Sequence, residues 1–283
     1  MKKYSLIVMA WGAGVQSTAV SLMHRHNPEL LESIGLTPSC YIFSDPGAEF
    51  EWTHQHIDRL LLQDHFAAPL YGVSNGDILA DNGTRTLPPY YVRKALEDGS
   101  PDMSERPSVM LRKCTSDLKI IPNERMARSL AGLTKGKRGK KGSICLLKGI
   151  SLDEVERMKP GVGVFDVRYP LIELRWDRNK CKQYCIDILG YHVQRSACWM
   201  CPFRRDWQKM ATESPKEFAL AIDYDKSLRD GRRSASGSTG IRYIHRYGLP
   251  LEEAIWQEKR REATKGELLF NDFINECEGH CGV

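Results

Sequence analysis

The stretch Leu6-Ile7-Val8-Met9-Ala10-Trp11-Gly12-Ala13-Gly14-Val15-Gln16-Ser17-Thr18 decides how this chain is read. A short apolar run bounded by glycine predicts a buried strand, placed over Tyr4 to Ala10. Gly12 and Gly14 then permit a tight turn with positive φ. A helix over Gln16 to His26 follows, opened by Ser17 and Thr18. Backbone N–H groups at a helix N-terminus, joined by a hydroxyl, make an anion site. No lysine closes the turn, which disfavours a Walker-type loop, and the glycine spacing misses the dinucleotide fingerprint.

Outward from that turn, strand and helix alternate. Ser39 to Ser44 reads as a strand, Glu51 to His65 as a helix and Pro69 to Val73 as a third strand. The alternation predicts an α/β fold, a Rossmann-like parallel sheet with helices on both faces. Asn75 to Ser108 looks irregular, with a helical pattern only around Tyr91 to Glu97. Thr115 to Leu133 reads as a helix. Ser143 to Ile150 reads as a strand, Ser151 with Glu154 as a capping box and Tyr169 to Leu174 as a further strand. Helices are expected over Asp177 to Leu189, Trp207 to Lys216, Glu217 to Arg229 and Leu251 to Glu262, and a mobile segment over Arg232 to Gly240. The expected organisation is a nucleotide-binding α/β domain over 1–195 and a small helical, cysteine-bearing subdomain over 196–283.

Of the 283 residues, 41% are hydrophobic and 27% charged, the balance of an ordinary globular chain. No apolar run approaches the ~20 residues that span a bilayer. The stretch after Met1-Lys2-Lys3-Tyr4 is too short for a signal peptide, so the cytoplasm is the expected compartment. A net charge of +5 tolerates an anionic partner, such as ATP, a sulfonucleotide or tRNA, without demanding one. The basic loop from Lys135 to Lys141 is either a contact for a nucleic-acid backbone or a solvated loop.

Two polar turns follow strands, where open α/β sheets bind ligands. One is Ser44-Asp45-Pro46-Gly47-Ala48-Glu49, with Asp45 as the candidate or, alternatively, a plain helix-entry turn. The other is Gly149-Ile150-Ser151-Leu152-Asp153-Glu154-Val155-Glu156-Arg157, a site turn or a capped surface helix. The nine cysteines are unlike a disulfide framework in a cytosolic chain. Cys40, Cys145, Cys181 and Cys185 read as core residues. Cys198-Trp199-Met200-Cys201 is a CxxC, which suits a metal, an iron–sulfur cluster or a redox pair. Cys114 and one of Cys277 or Cys281 are the candidate remaining ligands. Zinc, with His280 as a further donor, is the competing metal.

Taken in order, these pieces resemble the adenine nucleotide α-hydrolase superfamily of PP-loop enzymes, on the branch of phosphoadenosine phosphosulfate (PAPS) reductase-like proteins. The resemblance rests on Gly12 to Ser17, Phe43 to Glu49, Lys113-Cys114-Thr115 with Leu118 to Pro122, and Gly149 to Arg157. It continues in Tyr169 to Glu173, Ser196-Ala197-Cys198, Cys201-Pro202-Phe203 and Glu276-Cys277. It implies a five-stranded Rossmann-like sheet and a nucleotide at the strand ends. It further implies either adenylation of a substrate by ATP or reduction of a sulfonucleotide. Under the first reading the chain is a sulfurtransferase-type enzyme acting on a nucleobase, tRNA or DNA, with a cysteine desulfurase as a partner. Gly12, Ala13, Gly14, Val15, Gln16, Ser17 and Thr18 would hold the pyrophosphate, with Asp45, Gly149, Ser151 and Arg157 around the nucleotide and Mg2+ as a companion ion. Cys114, Cys198, Cys201 and Cys277 or Cys281 would carry a 4Fe-4S cluster, the remaining tail cysteine a persulfide. Under the second, Cys277 attacks PAPS or APS, and Cys281 or thioredoxin resolves the intermediate. A third reading is a silent nucleotide-binding module with structural zinc. The chain departs from the strict Ser-Gly-Gly-x-Asp-Ser loop: Gln16 stands at the acidic position, and Cys114 lacks a paired neighbouring cysteine.

Overall fold

The computed structural model describes residues 4–79, 88–110, 112–133, 137–230 and 240–265, the last five of these without their side chains. The described residues form two compact units, one of 4–76 with 115–196 and one of 77–114 with 197–265.

The first unit is a doubly wound sheet. Its strands are β1 (Leu6–Ala10), β2 (Cys40–Ser44), β3 (Leu70–Val73), β6 (Ile144–Lys148) and β7 (Phe165–Arg168), in the order β3-β2-β1-β6-β7. All neighbours are parallel. The expected α/β architecture is therefore present. Side chains alternate between the faces, as the two-residue strand period requires. Met9, Trp11, Tyr41, Phe43, Cys145 and Leu147 enter one core, with α1 (Val15–His26) and α6 (Arg178–Leu189). Val8, Ala10, Ile42, Ile144 and Leu146 enter the other, with Ala127 of α4 (Ile121–Leu130). Helices α2 (Pro28–Ser33), α3 (Glu51–Leu62) and the short α5 (Pro170–Glu173) complete this unit.

The sequence order runs outward from β1 to β3 and returns to β6 on the other side of β1. That reversal opens a crevice at the carboxyl ends of β1 and β6, where such sheets bind ligands. The loop 11–14 and the turn 149–151 both arise there.

Several local expectations are corrected. Tyr169 to Leu174 is not a strand: β7 lies four residues earlier, and Pro170 opens a helical turn. Thr115 to Leu133 is not one regular helix. A π-helical turn, Ser116–Ile120, precedes α4, with Pro122 in the first turn of the α-helix, where a missing N–H is tolerated. Tyr91 to Glu97 is not helical. Tyr91–Arg93 is β4, the centre of an antiparallel sheet between β5 (Ser108–Val109) and β8 (Ile241–Tyr243).

That sheet lies in the second unit with α7 (Trp207–Glu213), α8 (Pro215–Arg229) and α9 (Leu251–Lys265). This unit is therefore mixed α and β rather than helical alone. Two buried charges organise it. The Arg93 guanidinium donates to the carbonyls of Gly248 (2.8 Å), Asp102 (2.9 Å), Glu105 (2.6 Å) and Tyr247 (2.6 Å). The Asp225 carboxylate accepts from the backbone N–H groups of Ile244 (2.8 Å) and Leu251 (3.0 Å) and from Arg229 (2.5 Å). Asp225 therefore ties α8 to the residues after β8 and to the start of α9. Asp225→Ala is expected to lower the stability of this unit by about 2–4 kcal/mol, because it orphans two buried N–H groups and an arginine. Urea denaturation of the purified variant checks it; an unchanged midpoint would show that Asp225 is dispensable.

Candidate functional site

The phosphate-loop candidate is built from β1 outward. Trp11 N–H donates to the Ile42 carbonyl (2.9 Å), which carries the β1 pairing one residue past the strand. The chain then turns, and α1 starts at Val15 with Gly14 as its N-cap. The positive φ falls on Ala13 (59°), whereas Gly14 has φ −91°. The expectation that the glycines adopt the left-handed conformation is thus corrected. The left-handed residue carries a methyl group, at a cost of about 1–2 kcal/mol. Gly12 contributes space instead: a Cβ there would meet no atom within 4 Å.

The loop is closed by its own hydroxyl. Gly12 N–H donates to Ser17 Oγ (3.3 Å), and Ser17 Oγ donates to the Gly14 carbonyl (3.1 Å). Thr18 N–H makes the first intrahelical bond, to Gly14 (2.9 Å). The N–H groups of Val15, Gln16 and Ser17 therefore have no intrahelical acceptor. α1 carries no acidic residue in its first turn and three basic residues in its last. Its dipole is left to a ligand's negative charge at the N-terminus.

Gly149 fixes the other wall. A Cβ on Gly149 would stand 2.8 Å from Ser17 N, 3.0 Å from Ser17 Cα and 3.2 Å from Gln16 C. The end of β6 rests directly on the loop backbone, and only glycine permits it. Fully buried Gln16 spans the same gap with its side chain. Its Nε2 donates to Glu154 Oε2 (2.8 Å) and Ser151 Oγ (3.3 Å), while its Oε1 is buried without a hydrogen-bond partner. Arg157 Nη1 donates to Glu154 Oε1 (2.6 Å).

This corrects the capping box. Leu152–Arg157 is a 3-10 helix whose N-cap Ser151 makes no side-chain cap bond. Gln16 takes the Ser151 hydroxyl, and Gln16 and Arg157 take Glu154. Sequence reading also missed Glu154 as a site carboxylate, although its spacing from Gly149 was visible. Both oxygens of Glu154 are engaged, by Gln16 and by Arg157, so neither is a free ligand for a Mg2+ ion.

Asp45 lies just past the end of β2. Its Oδ1 accepts from Gly47 N–H (2.8 Å), an exposed turn bond, and its Oδ2 stands 4.0 Å from His54. The buried acid is Glu49, which accepts from Lys119 (2.8 Å) and from Ser196 Oγ (3.3 Å). Ser44 Oγ donates to the Leu118 carbonyl (2.7 Å), and Asn75 Nδ2 donates to the Asp117 carbonyl (2.8 Å). The π-helical turn is thereby stitched across the ends of β2 and β3. Such turns frequently mark functional sites.

A buried imidazole backs the loop. His56 shares hydrogen bonds with Thr18 Oγ1 (3.1 Å) through Nε2 and with Tyr191 OH (3.0 Å) through Nδ1, and its ring stacks on Trp11. Burial, helped by Arg59 and His65, pushes its pKa down to about 4. The ring is neutral at pH 7 and can both donate and accept. Nothing in the sequence signalled it beyond a histidine on an otherwise ordinary helix.

The cysteines separate into two groups. Cys40, Cys145, Cys181 and Cys185 are buried in the sheet unit. Desolvation raises the Cys40 thiol to about 11 and those of Cys145 and Cys185 to about 12, which leaves them inert at neutral pH. Cys114, Cys198 and Cys201 are half-buried and belong to the second unit. Cys201 N–H donates to the Cys198 carbonyl (3.2 Å), a tight CxxC turn. Arg112 stands over the Phe203 ring (5.1 Å), which links the two cysteine-bearing segments. Among the described residues no three His, Cys, Asp or Glu are grouped as a metal site. Cys277, Cys281 and His280 lie outside the described residues. The described donors alone therefore do not supply the four thiolates of a 4Fe-4S cluster. Of the basic loop, 134–136 lie outside the described residues, and Lys137, Arg138, Lys140 and Lys141 are exposed. No described helix is long and apolar enough to cross a membrane.

Comparison with family models, with curated proteins and with solved structures found no match.

Two outcomes are expected. Gly149→Ala should cost about 1–3 kcal/mol, because the added methyl meets backbone rather than a flexible side chain; thermal denaturation measures it, and an unshifted midpoint would contradict the close approach. His56 is lowered in the folded state, so the unfolded chain binds its proton first. Stability attributable to it is full above pH 6.5 and is lost as pH falls towards 4, by up to roughly 3 kcal/mol. His56→Gln should flatten the pH dependence of the urea midpoint between pH 4 and 6.5, leaving the smaller slope from His24, His26 and His65, which burial also lowers.

Proposed function

We propose that the chain is a PP-loop enzyme of the PAPS reductase-like type that binds ATP and activates a substrate by adenylation for sulfur transfer, with a nucleobase or nucleic acid as acceptor. One observation carries the reading. The glycine turn after β1 presents a helix N-terminus into the crevice at the sheet's switch point, with open space above Gly12 and the Gly149–Ser151 turn packed on its backbone. N–H groups fixed in that way lower the energy of charge developing on a phosphate without reorganising.

The chain's own residues divide the work. The amides of Val15, Gln16 and Ser17 bind the pyrophosphate, and Ser17 Oγ holds the turn in shape. Gln16 replaces the acidic residue of the strict loop with a neutral carboxamide, so no negative charge opposes the phosphates at that position. Glu154, matched by Arg157, anchors Gln16 from behind. Half-buried Cys114, Cys198 and Cys201 are the described thiols suited to sulfur chemistry, because the others are buried. A cluster on them would draw its fourth ligand from the tail and would supply redox or sulfur-carrying chemistry.

Gly12→Val separates binding from folding. The side chain enters open space, so the denaturation midpoint is expected to stay within about 0.5 kcal/mol of the parent. The same side chain occupies the phosphate position, so ATP affinity should fall at least about tenfold. Urea denaturation measures the first and calorimetric titration with ATP the second, and ATP–pyrophosphate exchange then reads adenylation. Full retention of ATP binding by Gly12→Val, or sulfite release from PAPS with a dithiol in place of exchange, would overturn the adenylation reading.

A further inference from the structure

We propose that Lys148 is the charged ligand of this site: its ammonium, at the carboxyl end of β6, takes a phosphate of the nucleotide whose pyrophosphate the Gly12–Ser17 loop holds. The inference rests on the nucleotide reading of that loop and adds the residue that supplies its positive charge.

Strand register places the amine. Lys148 is the last residue of β6 and pairs with Ala10, the last residue of β1. Leu147 packs in the core of α1, and Leu146 in the core of α4. Alternation therefore sets Lys148 on the α4 side, the side of Val8 and Ala10. A Cβ on Gly12, two residues past Ala10, would meet no atom within 4 Å. The residue after Lys148 is Gly149, whose Cα rests on Ser17 and Gln16. The Lys148 backbone is thus one residue from the contact between Gly149 and the loop, and its side chain leaves the end of β6 on the α4 face.

The charge is unspent. Lys148 is half-buried and makes no hydrogen bond or ion pair among the described residues. Arg157, the cation that the sequence favoured for phosphate, is instead bonded to Glu154. Gln16 Oε1, in the first turn of α1, is a buried polar atom without a hydrogen-bond partner. Glu124 acts on this ammonium without a hydrogen bond or ion pair to it; a half-buried ammonium with no directly bonded anion is costly, and such groups concentrate at binding sites.

The surroundings make the amine titrate near neutrality. Burial lowers its pKa to about 8, Glu124 of α4 pulls it up and Lys159, after the 3-10 helix, pushes it down. Burial in turn raises the Glu124 carboxyl, against the lowering effect of Lys148 and then Arg128. On β7, Asp166 and Arg168 act on Cys145, on the other side of the sheet. A bound phosphate favours the charged amine, so binding above pH 8 takes up a proton. Affinity should then fall as pH rises, by at most about tenfold per unit.

ATP binding to the full chain, measured by calorimetry from pH 7.5 to 9.5, tests this with two variants. The parent is expected to lose affinity above pH 8. Lys148→Met should bind about 10- to 100-fold more weakly at pH 7.5 and show no such fall. Lys148→Arg keeps its charge throughout, so it should bind at pH 7.5 and stay flat to pH 9.5. If the parent binds ATP and Lys148→Met matches it in affinity and pH profile, Lys148 is not the ligand and the loop reading stands. A parent that binds no ATP at pH 7.5 removes the loop reading and Lys148 with it.

Discussion

The contact on which the sheet unit's site depends is backbone against backbone: Gly149 at the end of β6 lies on Gln16 and Ser17 at the start of α1. Five parallel strands leave a crevice at the switch point whatever their sequence. The lack of a side chain at residue 149 is what lets the end of β6 close on the loop backbone here. Rigidity follows from the cores on either face, which bury α1 from Val15 to Met23 without interruption.

The loop's charge balance differs from that of a loop with its own aspartate. Gln16 is neutral and fully buried, and the nearest carboxylate, Glu154, is covered by Gln16 on one oxygen and Arg157 on the other. An acid behind the loop, rather than in it, keeps a hydrogen-bonded anchor and leaves the loop itself without a negative charge. The neutral His56 extends the same principle on the opposite side, holding Thr18 without adding charge.

Much of this was legible beforehand. Strands β1, β2 and β6 announced themselves because each is an apolar run largely buried on both faces, the partly buried edge strand β3 by the alternation of strand and helix, and the turns after β1 and β6 because glycine punctuates them. The misreadings have physical causes. Tyr91 to Glu97 has helix-compatible spacing, but β4 is stabilised by Arg93 reaching four distant carbonyls, a tertiary gain that no local pattern records. Glu49, in the same turn as Asp45, gave no local sign of burial; it is buried because Lys119 and Ser196, far along the chain, come to meet it. The left-handed Ala13 was hidden because flanking glycines offered an easier place for positive φ.

Ala13 also bears on why the turn is built as it is. A glycine at 13 would relax the left-handed strain but would release more backbone entropy in the unfolded chain, so the two effects, each about 1 kcal/mol, nearly cancel. Stability alone therefore does not choose between them. The buried methyl does: Ala13 is fully enclosed in the core that α1 shares with Trp11 and Val15. With its methyl pinned there, the turn has one conformation, and the N–H groups of the first helical turn are held in place before any anion arrives. A loop of glycines alone would have to order itself on binding, and the entropy lost would be subtracted from affinity. The strained residue and the empty space at Gly12 are thus complementary, one fixing the frame and the other leaving room inside it.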